Sequence, residues 1–96
     1  MPYVLSPKAR ADLDGVWDYT AERWDADQAD RYVRQIAETV SRLADGTLPR
    51  RKADDVRAGY FRQPTGSHVI FYRQDPDSGI VVVRVLHQRM DPTLHA

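Results

Sequence analysis

The side chains able to do chemistry cluster in the second half of the chain. Arginines stand at Arg57, Arg62, Arg73, Arg84 and Arg89, most of them within apolar runs. His87 is the histidine expected on a strand with arginines close by, Arg84 and Arg89, whereas His68 follows a turn and His95 lies in the tail. Cleaving an RNA strand would need a base for the ribose 2′-OH, an acid for the leaving oxygen and positive groups for the charge that builds on phosphorus. His87 could be the base, and Arg62, Arg73 and Arg84 could supply the positive groups. The plainer reading of His87 is a hydrogen-bonded structural histidine. The plainer reading of the arginines is pairing with the carboxylates of a protein partner. Three histidines, no cysteine and no helical i, i+4 pair involving histidine give no expectation of a metal. With no glycine-rich phosphate loop, no cofactor is expected.

The bulk properties bound these choices. Ninety-six residues read as one domain, 1–96, with 91–96 expected as a flexible tail. A chain of this size buries roughly 65% of its unfolded surface, enough for one modest core. Fourteen basic residues balance fourteen acidic ones, so the formal net charge is zero. The halves differ: six basic and nine acidic residues precede Pro49, and eight basic and five acidic follow from there. The first half is therefore net −3 and the second +3, so one face could suit an anionic partner unless the halves neutralise each other. The absence of cysteine rules out disulfides and thiolate chemistry and fits a reducing compartment. No stretch has the length of a signal peptide's apolar core or of a membrane span, so the expected location is the cytoplasm.

The elements that must position these residues can be placed by local signals. Tyr3-Val4-Leu5 is a short strand, and Ser6-Pro7 opens a helix with a capping hydroxyl and a proline at its first position. Ala9, Leu13, Val16, Trp17, Thr20 and Trp24 repeat at the spacing of a buried helix face, with Asp12, Asp14, Asp18 and Glu22 expected in solvent. Asp25 with Gln28 three positions on marks a second helix, whose stripe runs Ala29, Tyr32, Val33, Ile36, Val40, Leu43 and stops at Gly46. Trp17, Tyr19, Trp24 and Tyr32 are expected in core and inter-helix packing. Residues 47–56 read as a polar connector. Arg57–Arg73 reads as a hairpin turning at Pro64-Thr65-Gly66, with Tyr60 and Tyr72 on its arms. A third strand, Ile80–His87, follows the turn signal Asp75-Pro76-Asp77-Ser78-Gly79.

The fold class is therefore α+β. A short N-terminal strand and an antiparallel helical hairpin pack on one face of a small, mostly antiparallel sheet with a C-terminal three-strand meander. In the last strand Ile80, Val82, Arg84 and Leu86 alternate with Val81, Val83, Val85 and His87. Both sets are apolar. One face is expected in the core, and the other, carrying Arg84 between Val82 and Leu86, is expected uncovered and available to a partner or to the chain's own tail.

The segments YVLSPKARADLDGVWDYTAERW, DQADRYVRQI, RAGYFRQPTGSHVIFYR and IVVVRVLHQRMDP, taken together and in order, resemble the ParE toxins of the RelE/ParE superfamily. The resemblance runs from Tyr3 to about Pro92 and implies the same helical hairpin on an antiparallel sheet. It implies the toxin half of a bacterial type II toxin–antitoxin module that inhibits DNA gyrase by direct binding. It also implies neutralisation by a ParD-like antitoxin whose C-terminal segment wraps the toxin and folds on binding. The RelE-like branch of the superfamily instead cleaves mRNA on the ribosome and commonly uses tail tyrosine or lysine, which this chain lacks after Met90. Zero net charge also suits a protein target better than ribosomal RNA. The expectation is a non-enzymatic toxin forming a hetero-oligomer with its antitoxin, with no direct nucleic-acid or membrane binding. Its antitoxin- or target-binding surface is expected to include Arg57, Tyr60, Arg62, Arg73, Val82, Arg84, Leu86, His87 and Arg89. The alternatives are an RNA-cleaving toxin and a non-toxic binding module.

Overall fold

The computed structural model describes residues 2–95. In chain order the elements are β1 (Tyr3–Leu5), α1 (Pro7–Arg23), α2 (Ala26–Ala44), β2 (Arg51–Lys52), β3 (Tyr60–Thr65), β4 (His68–Asp75), β5 (Gly79–His87) and the single turn α3 (Pro92–His95). The sheet order is β1-β5-β4-β3-β2. β1 runs parallel to β5, and all other neighbours are antiparallel. This is the expected α+β architecture with one added strand. Arg51 and Lys52, read as part of a polar connector, pair with Arg62 and Phe61 along the outer edge of β3.

Each helix begins and ends where its own chemistry places it. The Ser6 hydroxyl accepts the Ala9 N–H at 3.0 Å, with Pro7 next to it at the first helical position. Asp25 caps α2 by accepting the Gln28 N–H at 2.7 Å. Gly46 takes φ +76° and closes α2 with two bonds, Gly46 N–H to the Leu43 carbonyl and Thr47 N–H to that of Arg42. That is the Schellman arrangement, which needs a left-handed residue just past the helix.

The main core lies between the helical hairpin and the sheet. Ala9 and Val16 of α1 and Ile36, Val40 and Leu43 of α2 meet Ile70, Tyr72, Ile80, Val82 and Val85. Fully burying one such aliphatic side chain contributes roughly 1.5–3 kcal/mol. The aromatic residues divide in a way the sequence did not anticipate. Trp17 is half-buried and its indole N–H donates to Asp30 at 2.8 Å, tying α1 to α2. Tyr19 and Trp24, expected in packing, are 62% and 71% exposed. Tyr19 is rotated about 100° from the buried Thr20, and Trp24 is the residue that caps the end of α1 at the hairpin tip.

The opposite sheet face is not bare. Tyr60, Phe71 and Leu86 form a second small core there with Ala53, and Val56, Val69 and Val83 pack against it. Residues 53–59 form the cover. Ala53 N–H bonds the Tyr60 carbonyl, and Val56 and Arg57 N–H both bond that of Ala53. The expected alternation along β5 also fails, for a definite reason. Tyr72 pairs with Val82 but Phe71 pairs with Arg84, so Val83 is an extra residue, a β-bulge. One added residue reverses the facing of everything beyond it. Val82 therefore lies in the helix-side core and Leu86 in the second core, both buried, and neither is on an uncovered surface. Ser6 holds the bulge: its N–H donates to the Val82 carbonyl and its hydroxyl to the Val83 carbonyl, both at 2.9 Å.

The first hairpin turn also differs from expectation. Thr65 pairs with His68, so the loop is only Gly66-Ser67, and Pro64 sits within β3 opposite Val69. β2 reaches only Phe61 and Arg62, so the missing N–H of Pro64 leaves no ladder bond unmade. Gly66 has φ +56°, and a Cβ there would lie 2.6 Å from Tyr32 Cε1. We predict that Gly66→Ala lowers stability by more than the ~1–3 kcal/mol of a strained backbone alone. Urea denaturation measures this, and an unchanged midpoint would contradict the described turn.

Candidate functional site

An aspartate of α1 organises the surface around Arg84. β1 shields the edge of β5 only as far as Val82, so beyond that point the edge faces α1. Asp12 Oδ2 accepts the Val85 N–H at 2.9 Å and Arg84 Nε at 2.8 Å, and Oδ1 accepts Arg84 Nη2 at 2.8 Å. The pair is bidentate, and its side chains are only 14% and 16% exposed. Bonding to Asp12 raises the Arg84 pKa above its ordinary value, against the opposing effect of burial. The remaining terminal nitrogen of Arg84, Nη1, donates to the His95 carbonyl of α3. Asp12 was read as solvent-facing. It sits three residues after Ala9 and four before Val16, inside the buried stripe, and a carboxylate there calls for a cation. That spacing was the available signal.

Two open grooves flank this pair. The first, about 410 Å³, is bordered by Ser6, Pro7, Lys8, Arg57, Tyr60, Val83, Arg84 and His95. The second, about 540 Å³, runs along α1 and the end of β5 and includes Asp12, Gly15, Tyr19, His68, Leu86, His87, Arg89 and Met90. The structure thus brings Arg57, Tyr60 and Arg84 to one groove, and Leu86, His87 and Arg89 to the other. The remaining three residues lie elsewhere. Arg62 forks onto Asp55 at 2.5 and 2.7 Å and stands over the Phe71 ring at 5.8 Å, and its bond lowers the pKa of Asp55. Arg73 is exposed, with Asp75 3.5 Å away. Val82 is in the core.

The second groove sets His68, given no role by its place after a turn, beside the expected site residue His87. His68 and His87 are cross-strand partners with ring centroids 5.3 Å apart. Tyr32 Oη accepts the Ser67 N–H at 2.9 Å and hydrogen-bonds His68 Nδ1 2.6 Å away, an arrangement in which the hydroxyl is the donor when His68 is neutral with its proton on Nε2. His87 Nδ1 accepts the Arg89 N–H at 3.1 Å. Burial first, then the neighbouring His87, lowers the pKa of His68, with Asp12 acting in the opposite sense. Both imidazoles are thus tied through Nδ1 to bonds within the protein. Among the described residues no group of three His, Cys, Asp or Glu side chains is placed to hold a metal, and no helix is long and apolar enough to cross a membrane.

The structure is a helical hairpin packed on one face of a five-stranded sheet. It superimposes with a TM-score of 0.76 on a solved chain described as the chromosomal ParDE TA system from P. aeruginosa, at 21% identity, covering 91% of this chain and 95% of that one. Residues 3–92 match the family described as the ParE toxin of the type II toxin–antitoxin system parDE, and the chain belongs to that family. Toxin ParE1 of Mycobacterium tuberculosis is 46% identical over 89 residues, 93% of this chain and 91% of that protein. Toxin ParE1 of Caulobacter vibrioides is 40% identical over 94 residues, 98% and 96% of the two chains.

Removing one partner of the Asp12–Arg84 pair strands a half-buried charge. Asp12→Ala should therefore cost about 2–4 kcal/mol, while Asp12→Leu with Arg84→Met should recover much of that loss. A double-mutant cycle by urea denaturation measures the coupling, expected above about 1 kcal/mol. Additive effects would mean the pair does not hold α1 to β5.

Proposed function

We propose that this ParE-family toxin acts by binding DNA gyrase directly, without chemistry of its own, and that a ParD-like antitoxin holds it inactive in a cytoplasmic hetero-oligomer. The observation that carries this reading is the state of Arg84. Stabilising a phosphorane-like charge needs a cation whose donors face the substrate. Arg84 spends three of its five N–H donors within the protein, from Nε and Nη2 to Asp12 and from Nη1 to the His95 carbonyl. Arg62 is likewise committed to Asp55. The grooves present an interrupted apolar and basic surface, with Arg57 and Tyr60 bordering one and Arg89 and Met90 the other. Such a surface suits a protein partner carrying carboxylates better than a polyphosphate track. Arg57, Tyr60, His87 and Arg89 are the proposed contacts.

One observation favours the ribonuclease reading: His68, His87 and Arg89 share a groove. Against it, the Nδ1 of each histidine is already hydrogen-bonded within the protein. The proposal is tested with purified gyrase. The toxin should inhibit supercoiling in a dose-dependent way, and its cognate antitoxin should relieve the inhibition. Programmed ribosomes incubated with the toxin should retain intact mRNA. Full supercoiling at saturating toxin, or cleaved message, would overturn the assignment.

A further inference from the structure

We propose that Tyr32, His68 and His87 form a proton-operated clasp. In the neutral form it ties the helical hairpin to the β3–β4 turn, and on protonation it releases the turn and charges the second groove. Few hydrogen bonds hold this corner; besides Tyr32, α2 reaches the β3–β4 hairpin through Thr39 Oγ1, 3.4 Å from Thr65 Oγ1. Tyr32 of α2 reaches across to the turn with one hydroxyl, which takes the Ser67 N–H and donates to His68 Nδ1. Its ring lies against Gly66, where no Cβ fits. The Ser67 carbonyl in turn accepts the Gln88 N–H at 2.9 Å, so the turn also anchors the chain leaving β5. One hydroxyl therefore links α2, the turn and the exit of β5.

The geometry makes this linkage sensitive to protons. A protonated His68 carries hydrogen on Nδ1 and can no longer accept the Tyr32 proton. A protonated His87 likewise loses its acceptor for the Arg89 N–H. The rings are cross-strand neighbours 5.3 Å apart, so two imidazolium charges would face each other at the end of the β4–β5 ladder. The charged and titratable groups around the cluster are Asp12 from α1, already committed to Arg84 and Val85, together with Tyr19, Tyr32 and Arg89. Burial first, then the neighbouring His87, oppose protonation of His68 and its pKa is lowered. Asp12 acts in the opposite sense, its charge already matched by Arg84. A histidine held below its unfolded pKa contributes stability that is complete above that pKa and fades as pH falls toward the folded one. The clasp is thus closed near neutrality and weakens in acid, between about pH 6.5 and the lower folded value. Protonation of His68 would also add a cation beside Arg89 in the second groove, which would strengthen its grip on an anionic partner.

The test is a proton titration of the full chain by NMR, following the imidazole Cε1–H signals and the backbone amides of Ser67 and Gln88. His68 should titrate below the ordinary histidine value, and the Ser67 amide should move with the same midpoint. Tyr32→Phe removes the bond that favours neutral His68, worth about 1 kcal/mol or less, so the His68 midpoint should rise by about half a unit. His68→Asn, which keeps an acceptor for Tyr32, should abolish the acid transition of Ser67. A His68 midpoint at or above the ordinary value, or a Ser67 amide that ignores it, would overturn the proposal. Should one variant fail to fold, the wild-type titration and the other variant still decide the matter.

Discussion

The fold turns on how a single carboxylate closes an open sheet edge. β5 has β1 beside it for only three residues, and from Val83 onward its outward N–H groups would face solvent or an apolar helix. Asp12 resolves this by taking the Val85 N–H and holding Arg84 in a two-pronged bond. The bulge at Val83 and the Ser6 hydroxyl that holds it are parts of the same solution. Together they let α1 pack along β5 where a sixth strand would otherwise be needed. They also fix which β5 residues enter which core, because the bulge reverses the facing of Arg84, Val85 and Leu86.

That solution has a functional consequence. The arginine most deeply set in the strand is neutralised by its own protein. The cations that border the grooves, Lys8 and Arg57 at the first and Arg89 at the second, flank the Asp12–Arg84 pair. Charge at a rim over an apolar floor is how proteins recognise other proteins, where apolar area supplies affinity and rim charges supply orientation and encounter rate. The exposed Tyr19 and Met90 extend the second groove along α1.

Much of this architecture was legible because its signals are local. Ser6-Pro7, Asp25 with Gln28, and Gly46 each act within one helical turn of themselves, and the structure uses each as read. The β-strands of the meander were legible from their composition. What was not legible depends on distant partners. A bulge in the run Val81-Val82-Val83 leaves no mark in composition, since every residue there is apolar whichever way it faces. It is fixed by Ser6, far away in sequence. Asp12 looked like its neighbours Asp14 and Asp18 because its partner stands 72 residues on. Pro64 was taken for a turn residue because proline is common there, yet it is equally suited to an edge that no strand covers. The expected site residues belong by sequence to the exposed sheet and tail, but the bulge and the cover formed by residues 53–59 divide them between two grooves, a salt-bridged surface and the core.

The central claim is that this toxin stops cells by binding and not by cutting RNA. It is tested most directly by expressing the chain without its antitoxin and following DNA and protein synthesis separately by pulse labelling. The account predicts an early loss of DNA synthesis, with translation intact over the same interval. An early loss of translation with DNA synthesis still running would contradict it and would direct attention to His68, His87 and Arg89 as an RNA-cleaving site.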